Sequence, residues 1–176
     1  EFFFNPLDGE IIGKFDKFED LGRYDQKPRV SLVLKEYGDI NIKSLNLDEL
    51  KDFDVQDNYG EEFLTIHNRV VDKLNNYNNG GLYHFSGPPG GGKSFYIKYL
   101  TSIINREFIF IPITLTDVLN SPDFLSVLLE HKNSILVIED AERVIRSRDN
   151  DNFSLVSTIL NMADGILSSL LKISII

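Results

Sequence analysis

The residues Gly87-Pro88-Pro89-Gly90-Gly91-Gly92-Lys93-Ser94 satisfy the spacing G-x-x-x-x-G-K-[ST] at every fixed position. The residue types in that pattern suit one chemistry, the capture of a phosphate chain. Glycines permit backbone angles that a Cβ forbids, and they let amide N–H groups close around phosphate oxygens. A helix starting at the lysine aims its positive end at the same anion. The Lys93 ammonium can reach the outer phosphates, and the Ser94 hydroxyl can ligate Mg²⁺. Pro89, Gly90, Gly91, Gly92 and Phe95 complete the candidate cradle. The competing reading, a Gly/Pro turn beside an ordinary surface lysine, is opposed by the flanking residues.

A second constellation is Ser134-Ile135-Leu136-Val137-Ile138-Glu139-Asp140-Ala141-Glu142. Its apolar residues suit a strand through a core, and its carboxylates then emerge at the strand's C-terminal end, the edge where open α/β sheets bind ligands. One carboxylate can join a Mg²⁺ shell while the other polarises an attacking water. Taken alone, such a cluster is as often a solvated strand end. Downstream of a good phosphate loop it carries more weight.

These groups need elements to position them. Leu82–Ser86 reads as a strand before the loop, and Ser94–Ile104 as an apolar-periodic helix after it. Phe108–Pro112 and Ile135–Ile138 read as buried parallel strands. Ser121-Pro122-Asp123 starts a helix that continues through Phe124–Glu130, with serine as cap and proline at the first helical position. Ser154–Leu171 reads as a long helix and Ile173–Ile176 as a further strand. Upstream, Phe63, Ile66, Val70, Val71 and Leu74 recur at helix spacing, and the run Asn75–Gly81 ends that helix. Alternating strands and helices predict an α/β fold whose parallel sheet is covered on both faces. Arg29–Asn46 alternates in the manner of a β-hairpin turning near Tyr37-Gly38-Asp39, and Asp48–Asp57 is an acidic connector. Residues 1 to about 28 show no clear period.

The bulk composition narrows the function classes. A chain of 176 residues with 42% hydrophobic content can hold one sizeable core. A formal charge of −9 points away from nonspecific nucleic-acid binding, which rests on Lys and Arg neutralising phosphates. The absence of cysteine removes disulfides, thiol chemistry and Cys-based metal sites. There is no signal-like N-terminus and no apolar run of membrane-spanning length, so a soluble, cytoplasmic protein is expected. The chain starts without Met and stops in the strand-like Lys172–Ile176, which suggests a piece of a longer protein.

Taken in order, the motifs resemble the AAA branch of the AAA+ ATPases. Asp57-Asn58-Tyr59-Gly60 is similar to the D-x-x-G segment that opens the AAA module and lies along the adenine. Gly87–Ser94 resembles Walker A with its G-P-P-G start, and Ile135–Glu142 resembles Walker B. Leu160-Asn161-Met162-Ala163-Asp164-Gly165 is similar to the segment before the sensor strand. The resemblance covers residues 57–176 and leaves 1–56 as an N-terminal extension containing the hairpin. It implies a P-loop NTPase three-layer sandwich, the large AAA+ subdomain cut short at its C-terminus. It further implies Mg²⁺-dependent ATP hydrolysis, with Tyr59 and Gly60 beside the nucleotide, and a ring, often a hexamer, that remodels a protein or complex. Walker B in this family usually ends Asp-Glu, whereas here it ends Glu139-Asp140. By position Glu139 takes the metal role with Ser94, and Asp140 activates water. The place of the family's pore loop, Ile113–Leu119, lacks an aromatic. The sensor asparagine, arginine finger and helical lid would follow Ile176. Two alternatives stand beside this reading: a nucleotide-binding switch or scaffold with little hydrolysis, and a nucleic-acid motor.

Other residues are read more simply. His84 is expected as a packed core histidine, and His67 and His131 lack metal-spaced partners. Arg143, Arg146 and Arg148 suit either a neighbouring subunit's nucleotide or a solvated helix end, the latter for at least two of them. Gly165 inside a helical pattern invites a bend or a helix end.

Overall fold

The computed structural model describes residues 29–47, 50, 53–76, 80–139 and 170–176. Asp140, the arginines at 143, 146 and 148, the Leu160–Gly165 segment, nearly all of the expected Ser154–Leu171 helix and residues 1–28 lie outside the described residues.

Among the described residues, six strands form one sheet. In chain order they are β1 (Val30–Glu36), β2 (Asp39–Leu45), β3 (Gly81–Leu82), β4 (Phe108–Phe110), β5 (Ile135–Val137) and β6 (Ser174–Ile175), laid side by side as β2-β1-β4-β5-β6-β3. Every neighbouring pair is parallel except β1 with β2. β1 and β2 form the expected hairpin, with Glu36 opposite Asp39 across the two-residue turn Tyr37-Gly38. Both turn residues have positive φ, 54° and 101°, the pattern of a type I′ turn whose twist matches the strands. The hairpin also joins the main sheet, because Val30, Ser31 and Leu32 pair with Phe108, Ile109 and Phe110.

The helices are α1 (Val55–Tyr59), α2 (Glu61–Asn75), α3 (Lys93–Ile103) and α4 (Pro122–Glu130), with a 3₁₀ helix over Ile113–Asn120 between β4 and α4. Alternation along the strands separates two cores. Phe108, Ile135 and Val137 meet Val70 and Leu74 of α2 and Tyr96, Ile97 and Leu100 of α3 on one face. Ile109, Leu136 and Ile138 meet Val118, Leu119, Phe124 and Leu128 on the other. This is a three-layer α/β/α arrangement with a mostly parallel sheet, as the alternation of elements predicts.

Several boundaries differ from expectation. The strand before the phosphate loop is Gly81–Leu82 rather than Leu82–Ser86, and residues 83–88 have no regular structure. His84 consequently lies exposed rather than packed in the core. Part of the acidic connector is helical: Asp54 caps α1 by accepting the Asp57 N–H at 2.9 Å. Ser121 caps α4 as expected, accepting the Asp123 N–H at 3.3 Å. Of the residues in the pore-loop position, Thr116, Val118 and Leu119 are buried.

Candidate functional site

The parallel strands aim their C-terminal ends at one edge, and two candidate groups emerge there. The phosphate-binding motif leaves β3, and Glu139 follows β5, separated from β3 by β6. Glu139 is exposed. Asp140 lies outside the described residues.

The loop is shaped by its own backbone. Gly91 N–H donates to Pro88 O at 3.1 Å and closes the turn. Gly92 sits at φ 79°, ψ 5°, in the left-handed region, and is the N-cap residue of α3. It makes no side-chain cap, so no cap side chain takes up the first amides of the helix; such amides are suited to an anion. Lys93 is the first residue of α3, and its ammonium donates to Gly87 O at 2.9 Å and Pro88 O at 3.1 Å. The ammonium is thus held over the loop by contacts that a phosphate oxygen can replace. Ser94 and Phe95 are exposed beside it.

The Asp57–Gly60 segment also contacts the loop directly. Tyr59 ends α1, and Gly60, at φ 83° and ψ 163°, ends α1 and starts α2. That backbone region is essentially restricted to glycine. The turn there brings the Tyr59 hydroxyl to Gly92 O, to which it donates at 2.7 Å. Around it lie Phe53, Phe63 and Tyr96, with ring centroids 6.0, 5.1 and 5.6 Å from that of Tyr59. Phe53 also meets Phe95 at 5.3 Å and Tyr99 at 4.3 Å. Burial raises the Tyr59 pKa, so the hydroxyl keeps its proton at neutral pH and remains a donor. His67 Nδ1 lies 2.9 Å from the Tyr96 hydroxyl, whose pKa burial also raises.

The turn and the helix start expected around Gly87–Ser94 are present, with α3 beginning at Lys93, whereas Phe53 and the contacts of Tyr96 were not expected from sequence. Tyr96 falls at helix spacing with Leu100 and reads as core; nothing in the spacing ties Phe53 to Phe95. Among the described residues, no group of three His, Cys, Asp or Glu could hold a metal on its own. No helix of the described residues is long and apolar enough to cross a membrane.

Comparison with known proteins agrees with this geometry. A search of curated proteins finds no match. A family model described as the ATPase family associated with various cellular activities matches residues 83–176, more than half of the chain. It begins at the end of β3 and takes in the phosphate loop, α3, β4, β5 and β6. With a phosphate-binding motif at the C-terminal edge of a parallel sheet and a family match across that region, the chain belongs to the AAA family of ATPases.

Proposed function

We propose that the chain binds Mg·ATP at the Gly87–Ser94 loop and hydrolyses the γ-phosphate, acting within a ring whose neighbours complete each site. The observation that carries this reading is the left-handed Gly92 at the start of α3, with the Lys93 ammonium folded over the same loop. In this proposal the amides of Gly90, Gly91 and Gly92 and the Lys93 ammonium hold phosphate oxygens. Pro89 and Phe95 flank them, and Tyr59 and Gly60 border the nucleotide. Ser94 and Glu139 hold Mg²⁺, which when bound neutralises charge on the phosphates. Asp140, one position beyond Glu139, takes the role of polarising water. Residues 57–176 would form the nucleotide-binding module, preceded by an extension that contributes the β1–β2 hairpin. Membership of the AAA family supports a remodelling role on a protein client in a cytoplasmic setting.

Lys93→Ala tests the loop. Titration with a fluorescent ATP analogue should show affinity reduced at least about tenfold, a loss of roughly 1.4 kcal/mol, in a protein that still folds. Unchanged affinity would remove the assignment. The Glu139-Asp140 order favours a second reading, a nucleotide-dependent switch that turns over slowly, because Asp is one methylene shorter than Glu. Asp140→Asn should retain Mg·ATP binding and lose turnover. In the full-length protein, a negligible rate at every protein concentration favours the switch. Turnover that rises with concentration favours the ring, since an arginine supplied by a neighbour is worth about 10³–10⁵ in related phosphoryl transfer.

A further inference from the structure

The contact between Tyr59 and Gly92 has a chemical direction. The Gly92 carbonyl accepts two donors, the Tyr59 hydroxyl at 2.7 Å and the Tyr96 N–H at 2.9 Å. The second is the first hydrogen bond of α3. The first reaches in from the end of a different helix, 33 positions earlier in the chain. Because the peptide unit is planar and trans, fixing the Gly92 carbonyl also fixes the N–H of Lys93, which points the opposite way. That direction is outward from the start of α3, where an anion is held by helix amides. The tyrosine ring fits this placement closely. A Cβ on Gly92 would lie 2.8 Å from the Tyr59 hydroxyl oxygen and 3.0 Å from its ring Cε1, so the close approach depends on glycine.

We propose that Tyr59 is a positioning residue for the phosphate loop, its hydroxyl fixing the Gly92–Lys93 peptide so that the loop amides face the phosphate chain. This rests on the phosphate-binding reading of the loop. It assigns to Tyr59 a task distinct from bordering the base: the hydroxyl acts on the phosphate end of the ligand, through the backbone. The reach is set by two earlier devices, the Asp54 cap that starts α1 and the glycine-only turn at Gly60 that ends it. A change in how α1 sits would be felt at the phosphates through one hydrogen bond.

Tyr59→Phe removes the oxygen and keeps the ring among Phe53, Phe63 and Tyr96. The probes are ATP and inorganic pyrophosphate, each competed against a fluorescent nucleotide. The thermal shift each produces is recorded on the same samples, so that binding is read even where the unliganded variant melts lower. One neutral hydrogen bond corresponds to about a three- to tenfold change in affinity. Tyr59→Phe should weaken ATP and pyrophosphate by the same factor within that range. Unchanged affinity for both ligands, or weaker ATP binding with pyrophosphate unaffected, would overturn the proposal; the latter would place Tyr59 at the nucleoside. Lys93→Ala keeps the two levels separate. If it leaves pyrophosphate and ATP binding intact, the phosphate-loop reading fails. If it abolishes both while Tyr59→Phe changes neither, only the positioning role fails.

Discussion

Arg106 and Lys93 both donate to backbone carbonyls, at opposite edges of the same sheet, and they are built for different ends. Arg106 is 4% exposed and lies where β4, β5 and β6 begin. Its guanidinium donates to Asn133 O, Ser134 O and Lys172 O, to Leu74 O in the last turn of α2, and to Ser174 Oγ, at 2.7 to 3.0 Å. Lys93 is half-buried at the other edge and reaches Gly87 O and Pro88 O of its own loop. A planar fork with five donors can tie several chain segments at once, and in doing so it is used up. An ammonium is a point charge on a flexible stem, and its partners here are exposed carbonyls that water can satisfy. The lesson is that a cation's task follows from how replaceable its acceptors are. Arg106 fastens the strand entries, and Lys93 remains exchangeable.

The comparison is most easily broken at Arg106. Arg106→Met should cost about 3–5 kcal/mol, because it strips donors from buried carbonyls, and should lower the melting temperature by about 10 °C or prevent folding. Arg106→Lys should recover only part of this, since one ammonium cannot span the same acceptors. A variant as stable as the parent in urea would show that the clamp contributes nothing. Lys93→Ala, by contrast, should change the unfolding free energy measured in urea by less than about 0.5 kcal/mol while crippling nucleotide binding. A large loss of stability there would make Lys93 a structural residue like Arg106.

The smallest effect concerns His67, whose Nδ1 lies 2.9 Å from the Tyr96 hydroxyl. Burial lowers its pKa, so the fold favours the neutral imidazole. The unfolded chain takes up the proton near the ordinary value of about 6.5 and the folded chain only at lower pH. The stability tied to neutral His67 is therefore complete above about 6.5 and is lost progressively as the pH falls from there towards the lower folded value. Urea midpoints between pH 7.5 and 5.5, a span around about 6.5, should fall more steeply in the parent than in His67→Gln. Parallel slopes would mean that the burial of His67 does not disfavour its charged form.

Local signals were legible in the chain, and long-range ones were not. The turn and helix start at Gly87–Ser94 are legible because glycines, lysine and serine stand there at a fixed spacing. The hairpin turn was placed by Gly38 and the cap of α4 by Ser121-Pro122, each a signal carried by neighbouring residues. That β1 pairs with β4 was not legible: strand neighbours are chosen by packing across the sheet, and alternation within β1 says nothing about a partner beyond Glu107. The Ser31 hydroxyl donates to Glu107 Oε1 at 2.7 Å, and His131 Nδ1 lies 2.8 Å from Oε2 of the same carboxylate, a bracket across three elements without any motif. His84 was misplaced because an apolar run was extended past the point where pairing stops. Arg106, an isolated arginine before an apolar strand, looks in sequence like any surface charge. In the candidate site, the loop was readable, while the Tyr59 hydroxyl contact depends on a turn at Gly60 that only the folded chain reveals.

The position of β3 has a consequence for the order in which the chain can become competent. Among the described residues β3 pairs with β6 alone, Gly81 with Ser174 and Leu82 with Ile175, and Tyr83 N–H donates to Ile175 O at 2.8 Å. The strand that delivers the phosphate loop is therefore moored by residues at the other end of the family-matched region. Closing so long a loop is entropically slow and is repaid only when both partners exist. During synthesis the ribosome releases the whole Gly87–Ser94 motif well before Ser174 and Ile175. A nascent chain can carry the whole Gly87–Ser94 sequence and still lack the strand pairing that holds it in place.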